Sequence, residues 1–140
     1  MVYLATDKQT YADLSITETA NNEQFLFSLF SKTETKEGKA KIRQYIEGQV
    51  EYYAKIMGIT YGRISMRNQK TRWGSCSSNG NLNFNNRLLF VPKELVDYVV
   101  VHELAHRKEM NHSNAFWNVV EKYMPDYKER RKKLREYHIE

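Results

Sequence analysis

Apolar residues recur at spacings of three and four between residues 39 and 57, which is the clearest hydrophobic pattern in the chain. This spacing is typical of an amphipathic helix that buries one face. The positions that share this face are Ile42, Tyr45, Ile46, Gln49, Val50, Tyr53, Ile56 and Met57. Gly58 follows directly and suits the end of the helix, because glycine adopts the left-handed conformation of a C-cap without strain.

Alternating apolar and polar residues predict a β-hairpin before this helix. Its two strands are predicted at 11–19 and 24–31, and the polar residues 21–23 form the expected turn. The polar segment 31–39 is then expected to be a short linker.

The region after the helix predicts further strands. Residues 60–69 alternate weakly and favour one strand. Asn79-Gly80 is a strong signal for a hairpin turn. In the segment 81–85 that follows, the two apolar residues are expected to face the core and the three asparagines to point outward. The apolar run 88–91 predicts another short strand or the end of one.

A second long helix is predicted after Pro92, which suits a first helical turn. It is expected to run to about Met110, and its residues 95–105 are apolar on most sides. Such a helix belongs in the middle of a domain. Two more helices are predicted at 113–123 and 126–137, and the last of them is basic.

The composition fits one compact domain over residues 1–140, with 41% apolar residues available for a core. Cys76 is the only cysteine, which excludes an intrachain disulfide. No apolar run approaches the roughly 18–20 residues of a membrane span. The first residues lack the pattern of a secretory signal, so we expect a cytoplasmic protein. The net charge of +5 modestly favours acidic or phosphorylated partners.

Residues 102–112 read HELAHRKEMNH and carry the most specific chemistry. His102 and His106 lie four residues apart, so a helix places them on one face, where both can bind a single Zn²⁺. His112 would be the third ligand and would leave the fourth position to water. Glu103 lies between the first two histidines and would take a proton from that water. The pattern therefore predicts a zinc hydrolase.

This interpretation requires the helix to end before His112. At about 100° per residue, an unbroken helix would direct His112 away from His106. We expect the chain to turn after about Met110, with Asn111 in the left-handed conformation that ends many helices. Ser113 is then expected to cap the next helix.

Other assignments stay open on these residues alone. Glu109, Glu121 or Asp126 could replace His112 as the third ligand, because zinc sites also use carboxylates. The pattern HELAH would also suit a helix with two hydrogen-bonded core histidines. The buried helix, its required end and the third histidine favour the metal site.

Three motifs in order resemble the YgjP-like metallopeptidases: TRWGSCSSNGNLNFN, HELAHRKEMNHSNAFW and YMPDY. This family is also called DUF45 and is related to the WLM and SprT-like zincins. The resemblance covers residues 37–138 and leaves 1–35 as an N-terminal hairpin extension. It implies an α+β, zincin-like fold, with a small antiparallel sheet on a buried active-site helix and further C-terminal helices. It also implies the three histidines as zinc ligands and Glu103 as the catalytic base.

The resemblance adds expectations about the surroundings of the site. In zincins an edge strand holds an extended peptide by backbone pairing, and the segment 81–85 is the candidate here. A donor for the developing oxyanion is also required. The sequence offers four without choosing among them: Arg72, Asn83, Tyr123 and Tyr127. Cys76 is expected to pack beneath the hairpin that turns at Asn79-Gly80. The basic segment 128–135 favours a solvated helix face over a nucleic-acid contact.

The leading hypothesis is a zinc-dependent hydrolase, and more specifically a metallopeptidase whose zinc-bound water is activated by Glu103. One alternative is a zinc-dependent hydrolase of a nucleotide or another phosphorylated substrate. Another is a non-catalytic, zinc-stabilised module that binds nucleic acid through its basic C-terminal helix. Glu103 and the open coordination position argue against the last alternative. The sequence leaves the oligomeric state open.

Overall fold

The computed structural model describes residues 2–5 and 35–137. The hairpin predicted at 11–19 and 24–31 lies outside these residues, as do residues 31–34 of the linker predicted at 31–39.

Four α-helices lie in the described part of the chain: α1 (Lys36–Met57), α2 (Lys93–Ala105), α3 (Asn114–Tyr123) and α4 (Tyr127–Leu134). Helix α1 begins at Lys36 because the hydroxyl of Thr35 caps it, accepting a hydrogen bond of 3.0 Å from the backbone N–H of Gly38. The linker prediction is therefore wrong for residues 36–39. Gly58 ends the helix with a φ of 66°, the left-handed cap that its position predicts.

The described strands form one sheet in the order β1-β3-β4-β2. Their bounds are β1 (Val2–Ala5), β2 (Ile64–Arg67), β3 (Arg72–Cys76) and β4 (Leu82–Asn85). Strand β3 pairs antiparallel with both β1 and β4. The β2–β4 pair is parallel, so the sheet is mixed and differs in this one pair from the expected antiparallel arrangement.

Strand β4 is not the edge strand that the sequence suggested at 81–85. It lies between β3 and β2, and both of its sides are hydrogen-bonded, so an extended peptide cannot pair with it. The outward orientation is also wrong for Asn85, which is buried. Its side-chain amide donates hydrogen bonds to the carbonyls of Gln69 at 2.7 Å and Arg72 at 3.0 Å. Asn85 therefore fixes the loop between β2 and β3.

The strand predicted at 88–91 is instead a 3-10 helix, Asn86–Phe90. The side-chain oxygen of Asn85 caps it by accepting a hydrogen bond of 2.9 Å from the N–H of Arg87. A short apolar run has no period that separates a strand from a buried helical turn. The capping asparagine decides the outcome here.

Helix α2 lies at the centre of the molecule, as its sequence predicts. It packs against α1, α3, α4 and β3, and its residues from Val99 to Ala105 are all buried. On α1 the prediction of a buried apolar face is wrong at Ile56, which remains 49% exposed. The fully buried positions of that face are Ile42, Ile46, Val50 and Met57. Within the described ranges, no helix combines the length and the apolar character that crossing a bilayer requires.

Candidate metal centre

Three histidines from two neighbouring segments meet at one end of α2. His102 lies in the last turn of the helix, and His106 is the residue that ends it. His112 lies in the turn that leads into α3. One ring nitrogen from each histidine lies within 4.8 Å of the other two. The structure therefore brings together all three residues that the spacing predicts as ligands.

The distance between two of these nitrogens suits a tetrahedral ion. His102 Nε2 and His112 Nε2 are 3.1 Å apart. Two ligands at zinc–nitrogen distances of 2.0–2.1 Å would be about 3.3 Å apart in a tetrahedron. The third nitrogen, Nε2 of His106, is buried and has no hydrogen-bond partner among the described residues.

The chain reaches this arrangement by ending α2 earlier than the sequence suggested. The helix ends at Ala105, and the N–H groups of His106, Arg107 and Lys108 donate to carbonyls three residues back. Such hydrogen bonds tighten the last turn and change the direction of the chain. The prediction of a left-handed Asn111 is wrong, because no non-glycine residue in the described ranges has a positive φ. The predicted cap is confirmed, since Ser113 Oγ accepts a hydrogen bond of 3.3 Å from the N–H of Phe116.

Hydrogen bonds to the other ring nitrogens hold two of the imidazoles. His106 Nδ1 donates to the carbonyl of Glu109 at 3.0 Å, which leaves Nε2 as the free acceptor. His102 Nδ1 lies 3.1 Å from the hydroxyl of Tyr98, one turn earlier on α2. When His102 binds an ion through Nε2, Nδ1 carries the proton and donates to this hydroxyl. Sequence reasoning treated Tyr98 only as a core residue, although its spacing of four from His102 places both on one face.

Aromatic rings from α3 enclose the histidines. The ring of Phe116 stacks on His106, with centroids 4.3 Å apart and planes 23° apart. The ring of Trp117 stacks on His112 at 6.0 Å and 28°. The guanidinium of Arg131 lies 4.8 Å above the Trp117 ring and places a positive charge near the cluster. These rings restrict the imidazoles to the orientations in which their nitrogens converge.

Glu103 directly follows His102 on α2 and is fully buried. Neither of its carboxylate oxygens has a hydrogen-bond partner among the described residues. Its side chain lies against Gly74 on β3, where a Cβ would be 3.1 Å from Glu103 Cγ. Burial raises the pKa of Glu103 well above its ordinary value. A buried carboxyl of this kind requires a partner that these residues do not supply.

Burial also favours the neutral form of His102 and His106, which is the form that binds metal ions. It lowers the pKa of His102 well below its ordinary value, and the neighbouring His106 and His112 lower it further. It lowers the pKa of His106 to about 4. His112 is exposed, and its partial loss of solvent and the charge of Arg131 lower its pKa together.

The rival third ligands lie elsewhere. In the described part of the chain, the group of potential ligands at this site consists of the three histidines alone. Glu109 contributes its backbone carbonyl, as described for His106. Glu121 is exposed, and the carboxylate of Asp126 accepts hydrogen bonds from Arg130 at 3.1 Å.

Two other residues singled out in the sequence, Cys76 and Asn83, lie in positions that favour a structural role. Cys76 is buried, but it is the last residue of β3 and so forms part of the hairpin instead of packing beneath it. Burial raises the pKa of its thiol to about 11. Asn83 pairs with Ser75, whereas Gly74 pairs with Phe84. Because alternate strand residues face opposite sides of a sheet, the side chain of Asn83 points away from Glu103. It is therefore a poor oxyanion donor.

Comparisons with known proteins indicate a metallopeptidase family. The profile described as "YgjP-like, metallopeptidase domain" matches residues 8–137, a longer span than the 37–138 that the motifs suggested. No protein with a curated description matches the chain.

Two solved structures share the α+β fold. The crystal structure of the metallopeptidase zymogen of Pyrococcus abyssi abylysin is 30% identical, with a TM-score of 0.55, over 64% of this chain and 87% of that one. The corresponding zymogen of Methanocaldococcus jannaschii jannalysin is 25% identical, with a TM-score of 0.55, over 63% of this chain and 91% of that one. The family match, on a fold in which three histidines converge beside a buried glutamate, shows that the chain belongs to the YgjP-like metallopeptidase family.

Proposed function

We propose that the chain is a zinc-dependent peptidase in which His102, His106 and His112 bind the ion and Glu103 is the general base. Membership of the family implies a divalent metal and peptide or protein substrates. Zinc is the divalent ion that three imidazole nitrogens suit best in a tetrahedral site with one open position. The observation that carries the proposal is the convergence of three ring nitrogens within 4.8 Å, beside the buried Glu103.

The unpaired polar atoms of the site support the presence of an ion. Nε2 of His106 and both carboxylate oxygens of Glu103 are buried without a hydrogen-bond partner in the described residues. Leaving one buried polar group unsatisfied costs about 1–3 kcal/mol. An ion at the three nitrogens, with a water beside Glu103, would satisfy all of these atoms.

The proposed reaction uses Glu103 twice. A divalent ion in the site supplies a Lewis acid that polarises the substrate carbonyl and lowers the pKa of water. The positive charge of a bound ion would favour the carboxylate form of Glu103, and the carboxylate would accept a proton from the attacking water as the water oxygen bonds to the carbonyl carbon. The same carboxyl then donates this proton to the amide nitrogen as the C–N bond breaks. The amine product leaves neutral, and Glu103 is restored as a carboxylate.

Helix α4 is proposed to present a solvated face. Two of its arginines are engaged within the fold, since Arg130 pairs with Asp126 at 3.1 Å and Arg131 lies over Trp117. These contacts support a structural role over nucleic-acid binding. We also propose that residues 1–140 form a single cytoplasmic domain.

The test is a substrate panel with the wild type and Glu103→Gln, both loaded with zinc. We expect the wild type to cleave an unfolded protein. Glu103→Gln should keep its metal and lose about 10²- to 10⁴-fold in kcat/KM, because it can no longer accept a proton. Undiminished cleavage by Glu103→Gln would exclude the general-base role.

Two further results would overturn the substrate assignment. Hydrolysis of nucleoside triphosphates in preference to protein would favour a phosphorylated substrate. Strong, salt-dependent affinity for DNA without hydrolysis of either substrate would favour a non-catalytic module.

A further inference from the structure

We propose that Gly74 is a positioning residue for Glu103, and that the absence of a side chain at this point of β3 fixes the carboxyl beside the three histidines. This inference rests on the proposed function, because it concerns where the general base is held. The inference also explains why glycine occupies position 74. The neighbouring sequence alone indicates only that this residue packs in the core.

The contact is close along the whole end of the glutamate. A Cβ built at Gly74 would lie 3.1 Å from Glu103 Cγ and 3.2 Å from Oε2. It would also lie 3.1 Å from the carbonyl oxygen of Asn83 on β4. Optimal separations between carbon atoms are about 3.5–4.0 Å. An alanine at this position would therefore require its neighbours to move.

The backbone on either side is held in place, so the glutamate is the group that must move. Strand β3 is paired on both sides, with β1 and with β4. Helix α2 is buried along its last turns and packs against three other helices and β3. The carboxyl of Glu103 has no hydrogen bond to a described residue that would hold it in place. A methyl group at Gly74 would therefore displace the carboxyl from the position it now occupies beside β3.

The first test compares the steady-state kinetics of Gly74→Ala with those of the wild type, at measured zinc content. A displacement of about 1 Å at a catalytic group can cost about 100-fold in rate. The contacts at 3.1 and 3.2 Å require a shift of a few tenths of an ångström, so we expect kcat to fall by about three- to tenfold while KM and zinc content stay unchanged. Gly48→Ala is the control, because Gly48 lies on the exposed side of α1 and a Cβ there would meet nothing within 4 Å. Unchanged kcat in Gly74→Ala would overturn the proposal.

The second test measures the contact without using activity. Gly74→Ala is combined with Glu103→Ala, which removes the crowded carboxyl, and with Glu103→Gln, which keeps its shape. We expect Gly74→Ala to lower the Tm of the wild type and of Glu103→Gln by a similar amount. In Glu103→Ala the decrease should be clearly smaller, because only the contact with the Asn83 carbonyl remains. An equal decrease in all three backgrounds would show that Gly74 does not act through Glu103.

The two tests separate this inference from the proposed function. If Gly74→Ala alone does not fold, recovery of a folded protein by the added Glu103→Ala supports the contact, and failure to recover it contradicts the contact. If the wild type cleaves no peptide, the proposed function fails. The Tm comparison still supports or overturns the contact between Gly74 and Glu103 in that case.

Discussion

Tyr98 illustrates how a single side chain outside the ligand set can determine the metal site. Its hydroxyl lies 3.1 Å from His102 Nδ1, and its side chain is fully buried one turn before His102 on the same helix. A partner of this kind fixes the tautomer and the orientation of a ligating imidazole. His106 receives the same support from the carbonyl of Glu109, which no side-chain substitution can remove.

Replacing Tyr98 with phenylalanine is therefore predicted to weaken zinc binding. The substitution keeps the ring and removes the oxygen that His102 Nδ1 requires. We expect the Kd for zinc, measured by competition with a chelator, to rise about 10- to 100-fold. Tyr52→Phe is the matched control, because Tyr52 is 56% exposed on α1. Equal zinc affinity in Tyr98→Phe and the wild type would exclude this role.

The protonation of the three histidines and Glu103 predicts how the stability of the metal-free protein depends on pH. The pKa of His106 is about 4 in the folded chain against an ordinary value of 6.5. Those of His102 and His112 are also lowered. The unfolded chain therefore binds more protons below pH 6.5, and stability must fall as the pH decreases from 6.5 towards 4. Glu103 has a raised pKa, so its contribution has the opposite sign and is lost as the pH rises above 4.5.

Urea denaturation of metal-free Glu103→Gln isolates the contribution of the histidines. We expect its free energy of unfolding to be lower at pH 5 than at pH 7 by more than about 1 kcal/mol, since one pKa unit corresponds to about 1.4 kcal/mol. The decrease should be smaller in the wild type, where Glu103 opposes it. A free energy that stays constant or rises between pH 7 and pH 5 in Glu103→Gln would contradict the burial of neutral histidines.

At the scale of elements, local patterns identified the helices better than the strands. The period of α1 and the cap at Gly58 were both visible in the sequence, because each depends on neighbouring residues. The same holds for α3, whose cap at Ser113 was predicted. The 3-10 helix after β4 is not predictable in this way, because its apolar run has no distinguishing period. Its formation depends on a cap from Asn85.

Strand order depends on contacts that no local pattern contains. The segment 81–85 has the alternation of a strand with one polar side, which suggested an exposed edge. In the structure, β2 pairs with it in parallel, and this pairing joins residues far apart in sequence, such as Ile64 and Leu82. The end of α2 shows a similar limit. The need for a turn before His112 followed from helix geometry, but its position at Ala105 is set by three-residue hydrogen bonds and packing.

At the scale of the whole molecule, the fold forms the site by packing the buried helix α2 against both the sheet and α3. Helix α2 supplies His102 and Glu103, its C-cap residue is His106, and the turn before α3 supplies His112. The convergence of the three histidines could be predicted because HELAH and the following histidine have fixed spacings. Gly74 and Phe116 could not, because they approach the site only when β3 and α3 pack on α2.

The metal content of purified variants tests the central claim most directly. We predict about one zinc per chain in the wild type and in Glu103→Gln, and loss of most bound zinc in His102→Ala and His106→Ala. The expected loss follows from removing one of the three nitrogens that converge at the end of α2. Full zinc content in both histidine variants would show that the ion, if bound, lies elsewhere, and would contradict the assignment of the site.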